Sequence, residues 1–431
     1  MLTRIRTMSR RNWILITILL VALLFGLAIV IATGLSATNF GDANDYFNAA
    51  HAIESRLPYP REGGNWPFFR PPGYPFVVAT IWKITGTSSI SVLKLLNVIC
   101  HVASTYLVFR ISKLEIRHSV ALFCAFLYAV NPFSLYQLSG ISTEPLITFL
   151  FLAFVYLLLS KPTPINMILI SVTAIGCIAT RPEYIFAIVP IIVLKLFWQR
   201  IGRKSLVRGL VSLTAIILAL SFWGYSNKKA TGDFILLTDA TNYQLWMGST
   251  DVIFNNYPLK ISNKDDFNQR QLASLNNEIQ IHKKEWGEKY ATATVKERSD
   301  LWGEALNERI HSIGFLEYSR AILAKGVVFW RPFLSPASYG FKVFFLSLLF
   351  FSAITIFTIF GIISYWRKNE LRSMIFIFSF TLGVLTIVHM LQMPDIRYRI
   401  PVYMPFALIM SGALAWDWLE PQFHRIKSIG R

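Results

Sequence analysis

Long apolar stretches recur along almost the whole chain, near 13–33, 90–110, 119–138, 144–160, 165–180, 183–199, 206–225, 341–366, 372–392 and 401–419. A helix needs about 20 apolar residues to cross the roughly 30 Å hydrocarbon layer of a bilayer. The pattern therefore predicts an all-α polytopic membrane protein with about ten transmembrane helices. Composition agrees: 54% of the 431 residues are hydrophobic and only 15% are charged, which argues against a soluble domain.

A formal charge of +18 raises the question of a nucleic-acid partner, and its distribution answers it. Arg4, Arg6, Arg10 and Arg11 precede the first stretch, and Arg110, Lys113 and Arg117 follow the second. Arg200, Arg203, Lys204 and Arg208, then Arg367, Lys368 and Arg372, and finally Arg425, Lys427 and Arg431 fall on the same side of a ten-span count. By the positive-inside rule that side is the cytoplasm. The excess charge thus reports orientation and contact with membrane lipids, and no nucleic-acid partner is expected. The apolar run Trp13–Thr33 exceeds the roughly 7–15 residues of a signal-peptide core, so it reads as an uncleaved anchor. Cys100, Cys124 and Cys177 all lie inside predicted spans and offer no extracellular disulfide framework.

Three outer segments are long or polar enough to carry chemistry, and they divide the chain. Residues 1–225 form a membrane module whose first outer loop is 37–89; 226–339 form a small mixed α/β extracytoplasmic domain; 340–431 return to membrane helices. In the first loop, Tyr46, Ala49, Ala50 and Ile53 recur at helical spacing within Asp42–Arg56. Asn65–Pro75 holds four prolines and cannot be helical throughout, and Tyr74–Ile84 suits an interfacial helix. In the second, Phe234–Thr238 reads as a short strand, Asp266–Lys284 and Lys296–His311 as helices, and the aromatic stretch before Arg331-Pro332 as a helix in the headgroup zone. The third is Met393–Arg399.

The acidic group Asp42, Asp45 and Tyr46 is followed in the same loop by Arg70-Pro71-Pro72-Gly73-Tyr74. Asp42 and Asp45 sit three apart and would share one face at a helix start, where a capping role is the ordinary reading. A carboxylate just after a span is also held at the lipid surface, where a general base for an acceptor hydroxyl would stand. Prolines stiffen the backbone around Arg70, whose guanidinium can grip phosphate oxygens in bidentate fashion. Thr143-Glu144-Pro145 and Arg181-Pro182-Glu183 are either helix-start signals or lining of the same site. Arg397, Tyr398 and Arg399 offer a second phosphate contact or lipid-facing anchors. The seven histidines show no zinc-type spacing; Asn97 and His101 suit hydrogen bonding within the bundle. Neither a Walker A sequence nor Gly-x-Gly-x-x-Gly occurs, which disfavours a nucleotide-sugar donor.

Together, Asp42-x-x-x-Tyr46, Arg70-Pro-Pro-Gly-Tyr74, Thr143-Glu144-Pro145, Arg181-Pro182-Glu183, Asn242-Tyr243 with Gly248, and Arg397-Tyr398-Arg399-x-Pro401 resemble membrane glycosyltransferases of the GT-C fold. The nearest branch is the one similar to protein O-mannosyltransferases and the lipid A aminoarabinose transferase. The resemblance covers most of the chain. It implies that Asp42 is the catalytic acid of the first loop, that Arg70 meets the donor phosphate, and that Glu144 is an acid of the second outer loop. Relatives often carry a second acid directly after the aspartate; here that position is Ala43, and Asp45 is the available substitute.

The expected function is inverting transfer of a hexosyl or pentosyl group from a polyprenyl-phosphate sugar to a hydroxyl on a glycan, lipid or protein. Asp42, Asp45 and Glu144 are the expected catalytic residues, and Arg70, Arg181, Arg397 and Arg399 the phosphate-binding ones. Tyr46, Tyr74, Glu183 and Tyr398 are expected to line the site. A divalent cation is compatible with this chemistry, although no ligand cluster demands one. The expected location is the inner (plasma) membrane, with cytoplasmic termini and an extracytoplasmic site. Two other classes share the pattern: a transporter or flippase of lipid-linked sugars, and an inactive membrane scaffold.

Overall fold

A computed structural model of the chain describes residues 10–36, 43–55, 70–161, 163–198, 203–250, 264–334, 336, 340–368 and 371–429. Asp42 and most of the proline-rich part of the first loop lie outside the described residues. In chain order the helices are α1 (Arg10–Ala32), α2 (Ala43–Glu54), α3 (Gly73–Thr85), α4 (Ile90–Lys113), α5 (His118–Ala129), α6 (Pro132–Tyr136), α7 (Glu144–Leu159), α8 (Pro164–Thr180) and α9 (Ile185–Trp198). Then follow α10 (Arg203–Thr231), α11 (Thr241–Ser249), α12 (Lys264–Thr292), α13 (Val295–Ile313), α14 (Phe315–Trp330), α15 (Phe341–Arg367), α16 (Arg372–Leu391) and α17 (Ile396–Ile429).

Every apolar stretch of the sequence is helical, although fewer than ten of the described helices have the length and composition of a full crossing. Among the described residues six helices are long and apolar enough to span, or seven if α5 and the segment Pro132–Ser139, bent 43° from it, form one crossing. At 1.5 Å per residue, the 16 residues of α7 and 17 of α8 give only about 24–26 Å. They nevertheless form the centre of the bundle, with Phe151 and Phe154 of α7 and Ala174 and Ile178 of α8 fully enclosed. The most apolar stretch of α17 is 72% buried, against 22% for α1 and α10 and 17% for α15; the last three form the rim.

Local sequence explains the helix starts. Ser89 accepts the Ser91 amide before α4, Thr163 accepts the Asn166 amide before Pro164 of α8, and Thr294 with Glu297 forms a reciprocal capping box on α13. Asp395 accepts the Arg397 amide at 2.9 Å as α17 begins. At the opposite end of the bundle, the last carbonyls of α7 are closed by basic side chains. Lys195 donates to Leu158 O, and Arg208 to Leu157 O and Ser160 O, which answers the unpaired carbonyls of a helix end.

Among the described residues there is no strand, and the stretch expected as one, Phe234–Thr238, runs as irregular chain. Phe234–Thr238 does alternate as a strand would: Ile235 and Leu237 are buried, Phe234 and Leu236 exposed. No neighbouring strand offers a ladder; instead Asn227 Nδ2 of α10 donates to Ile235 O at 2.6 Å. The helical segments of that region do form. Trp246, Tyr290, Leu301 and Trp302 make its core. Lys325 of α14 donates to the carbonyls of Gly248, Leu391 and Gln392 at 2.9–3.1 Å, which fastens α11 to the end of α16.

The polar residues of α4 are structural. Asn97 Nδ2 donates to Gly140 O at 2.9 Å, and His101 Nε2 lies 3.1 Å from Ala129 O. The three cysteines are buried thiols.

Candidate active site

The site is built at the end of the bundle where α7 starts and α8 ends. Its first part comes from the first loop. Arg70, just ahead of α3, donates from Nε and Nη2 to Asp45 Oδ2 at 3.0 and 2.9 Å. Its guanidinium also stands 5.3 Å from the Tyr46 ring, and Tyr46 meets Tyr74 edge-on at 4.9 Å. Tyr74 is fully enclosed. Burial, reinforced by Tyr46, Cys100 and Glu144, pushes its phenol well above the ordinary tyrosine value, so it stays protonated and keeps its hydrogen to donate.

Gly73 sets where this part sits. A Cβ there would fall 2.5 Å from the Ala179 carbonyl carbon and the Thr180 nitrogen, so the missing side chain lets the start of α3 lie directly on the last turn of α8. The next residue along α8 is Arg181, the centre of the second part.

Arg181 ends α8 in extended conformation and turns its guanidinium inward. Nη2 pairs with Glu144 Oε1 at 2.6 Å, Nε donates to Thr143 Oγ1 at 3.1 Å, and Nη1 lies 3.4 Å from Glu183 Oε1. The Glu144 side chain is only 3% exposed. A pair this enclosed is held by partners on every side, since either charge alone would be strongly destabilising. Tyr46 and Tyr398 complete the electrostatic surroundings of Arg181, which joins the first part to the second.

The third part comes from α16 and α17. The Tyr398 ring carries Arg181 4.7 Å from its centroid and Arg397 at 4.9 Å, with Arg397 Nη2 donating to its hydroxyl at 3.0 Å. His389 stacks against Tyr398 at 4.3 Å and 10°, and Phe329 of α14 stacks on His389 at 5.5 Å and 15°. The ladder Phe329–His389–Tyr398 therefore connects the helices of the 226–339 region to two arginines.

Of the sequence-predicted residues, the structure brings together Asp45, Tyr46, Arg70, Tyr74, Glu144, Arg181, Glu183, Arg397 and Tyr398. Asp42 directly precedes α2 in the chain and is not described. Arg399 is not brought in: 1% exposed, it donates to Phe329 O and Arg331 O among the rings of Trp330, Phe351 and Tyr403. Three residues escaped the sequence reading: Gly73 as a close-approach position, His389 and Phe329. An ionisable side chain near the end of an apolar stretch was the available signal for His389. The cluster balances three guanidinium groups (Arg70, Arg181, Arg397) against four carboxylates (Asp45, Glu144, Glu183, Asp395). Among the described residues no three His, Cys, Asp or Glu side chains gather as metal ligands.

Comparison with known proteins places this architecture. A family profile described as dolichyl-phosphate-mannose-protein mannosyltransferase matches residues 69–224, from the start of the Arg70 segment through most of α10. An oligosaccharyltransferase of Archaeoglobus fulgidus, in its apo form, superposes over 98% of this chain with a TM-score of 0.56 at 13% identity. The archaeal oligosaccharyltransferase AglB from Archaeoglobus fulgidus, in complex with an inhibitory peptide and a dolichol-phosphate, gives 0.51 at 14% identity, again over 98% of this chain. The chain has the GT-C fold. It spans about half the length of the archaeal chains it matches, 52% in both cases. No curated protein sequence matches the chain.

Proposed function

We propose that this GT-C protein is an inverting glycosyltransferase that moves a sugar from a polyprenyl-phosphate donor to a hydroxyl acceptor on the extracytoplasmic face. The observation that carries this reading is the convergence of Arg70, Arg181 and Arg397 with Asp45, Glu144 and Glu183 at one end of the bundle. The archaeal neighbour solved with a dolichol-phosphate, and the lipid-phosphate sugar in the matching family's description, support the donor class.

In the reaction, the acceptor oxygen attacks the anomeric carbon from the side opposite the phosphate. The bond from that carbon to the phosphate oxygen breaks, its electron pair leaves with the polyprenyl phosphate, and the hydroxyl proton passes to Asp42. The leaving phosphate gains negative charge as it departs. Arg70, Arg181 and Arg397 are the groups that meet this charge, and they are pre-positioned by their carboxylate and tyrosine partners. Arg70 is the more accessible clamp, because its partner Asp45 is 41% exposed and can give way to a phosphate oxygen. Arg181, locked to Glu144, orients the site. The helices between α10 and α15 shape the acceptor side, and the first outer loop with α3 faces the lipid donor.

Purified protein in liposomes, supplied with a polyprenyl-phosphate sugar and a panel of hydroxyl acceptors, tests this reading. Arg70→Ala is expected to weaken donor use and slow transfer by about a hundred- to thousandfold, the usual effect of losing one charge-stabilising contact. An unchanged dependence on donor concentration contradicts the clamp.

A further inference from the structure

We propose that a groove between α15 and α17, at the end of the bundle opposite the candidate site, binds an anionic phospholipid of that leaflet. Phe357, Phe360, Ser364 and Arg367 recur at helical spacing along one face of α15 and meet Leu414 and Trp418 of α17 around a space of about 850 Å³. The adjoining face of α15 makes the helix–helix seam. Thr358 Oγ1 donates to Ala407 O at 3.4 Å, a Cβ on Gly361 would stand 2.7 Å from Met410 O, and the Tyr365 hydroxyl donates to Asp417 Oδ2 at 3.1 Å. With the two helices locked along that seam, the groove beside it cannot close by sliding them together.

Its dimensions and charge name the occupant. From Phe357 to Arg367 the groove runs about 15 Å at 1.5 Å per residue, which is half of the roughly 30 Å hydrocarbon core and so the depth of one leaflet. The wall is apolar along this depth and cationic at the mouth. Lys368 is neutralised there by Asp417 at 3.1 Å, whereas Arg367 has no hydrogen-bond or ion-pair partner among the described residues. Among the described groove-lining residues, one positive charge is left at this mouth. Trp418, 68% exposed, and Trp366 mark the same level, where tryptophan belts sit. A second, smaller cleft opens on the far side of Trp366, with Lys195 and Arg372 among its lining. An acyl chain along Phe357, Phe360 and Leu414 and a phosphate at Arg367 satisfy both halves of the groove. A zwitterionic lipid brings its own cation to that mouth, so an anionic glycerophospholipid is the better match, as at other basic pockets between membrane helices.

The groove is independent of the transfer reaction, and its test reads lipid contact alone. The chain has twelve tryptophans, so the Trp418 contribution is taken as the fluorescence difference between the wild type and Trp418→Phe. In phosphatidylcholine liposomes doped with a brominated lipid, brominated phosphatidylglycerol is expected to quench Trp418 with about a fivefold preference over brominated phosphatidylcholine, the effect of one surface cation. Arg367→Gln, which breaks no side-chain hydrogen bond or ion pair among the described residues, is expected to bring the two lipids to parity while melting temperature holds. Equal quenching in the wild type overturns the proposal, as does a preference that survives Arg367→Gln. Relief of quenching by polyprenyl phosphate at lower mole fraction than by unlabelled phosphatidylglycerol also overturns it, by naming a different occupant.

Discussion

Gly73→Ala is the most revealing single change in this structure, because it adds one carbon at the joint between the first loop and α8. That carbon would lie 2.5 Å from two backbone atoms, whereas ordinary contact begins at 3.4 Å. Backbone cannot rotate away as a side-chain tip would, so α3 must move by about 1 Å, and overpacking of this kind costs about 1–3 kcal/mol of stability. The larger effect falls on chemistry. Arg70 and Tyr74 move with α3 while Arg181 stays with α8, and a misplacement of about 1 Å typically costs about a hundredfold in rate. Transfer from a polyprenyl-phosphate sugar in liposomes, run beside thermal unfolding of the same preparation, separates the two. The expected result is a modest drop in melting temperature with a rate loss of about two orders of magnitude. Transfer at the wild-type rate refutes the claim that Gly73 sets the distance between the two halves of the site.

The aromatic ladder predicts that shape at position 389 matters more than the imidazole nitrogens. His389→Phe keeps both stacks and should retain transfer, whereas His389→Ala, which loses two contacts worth about 0.5–1.5 kcal/mol each, should raise the donor KM more than it lowers kcat; equal loss in both variants contradicts the ladder. Asp239, in the loop before α11, makes stability depend on pH. Burial, then the nearby Asp233 and Asp300 charges, raise its pKa from 3.8 to about 7 against a smaller opposing hydrogen bond from Ser299. A raised carboxyl favours the folded state in its protonated form, so its contribution is complete below about pH 4 and is lost as pH rises through about 7. Asp239→Asn should match the wild type in melting temperature near pH 4 and exceed it above pH 7; parallel profiles across that range refute the assignment.

Much of this architecture was legible because its signals are local. The helical spacing of Tyr46, Ala49 and Ala50 marked α2, the composition of Lys296–His311 marked α13, and each apolar stretch became a helix. The motifs around Arg70, Glu144, Arg181 and Tyr398 also met at one end of the bundle, since topology alternates which end each loop occupies. The misses share a physical cause, namely that the deciding partner is remote in sequence. Phe234–Thr238 alternates like a strand, yet the Ile235 carbonyl is met by the Asn227 side chain rather than by a neighbouring strand. Arg399 looks like a surface anchor beside Arg397, but two helical steps turn it onto the Phe329 and Arg331 carbonyls instead of the site. The short α7 and α8 carry span-like composition without span-like length, and the lysine and arginine that close the end of α7 are supplied by α9 and α10. Gly73 reads as one more turn residue until α8 is seen beside it.

The central claim is that one carboxylate of the first loop takes the acceptor proton while guanidinium groups hold the departing phosphate. Single-turnover transfer by Asp42→Asn, in proteoliposomes where the variant inserts and melts as the wild type does, tests it most directly. Loss of general-base assistance typically costs about a hundred- to ten-thousandfold, and the account predicts a rate reduced within that range with donor binding retained. Transfer at the wild-type rate would contradict it.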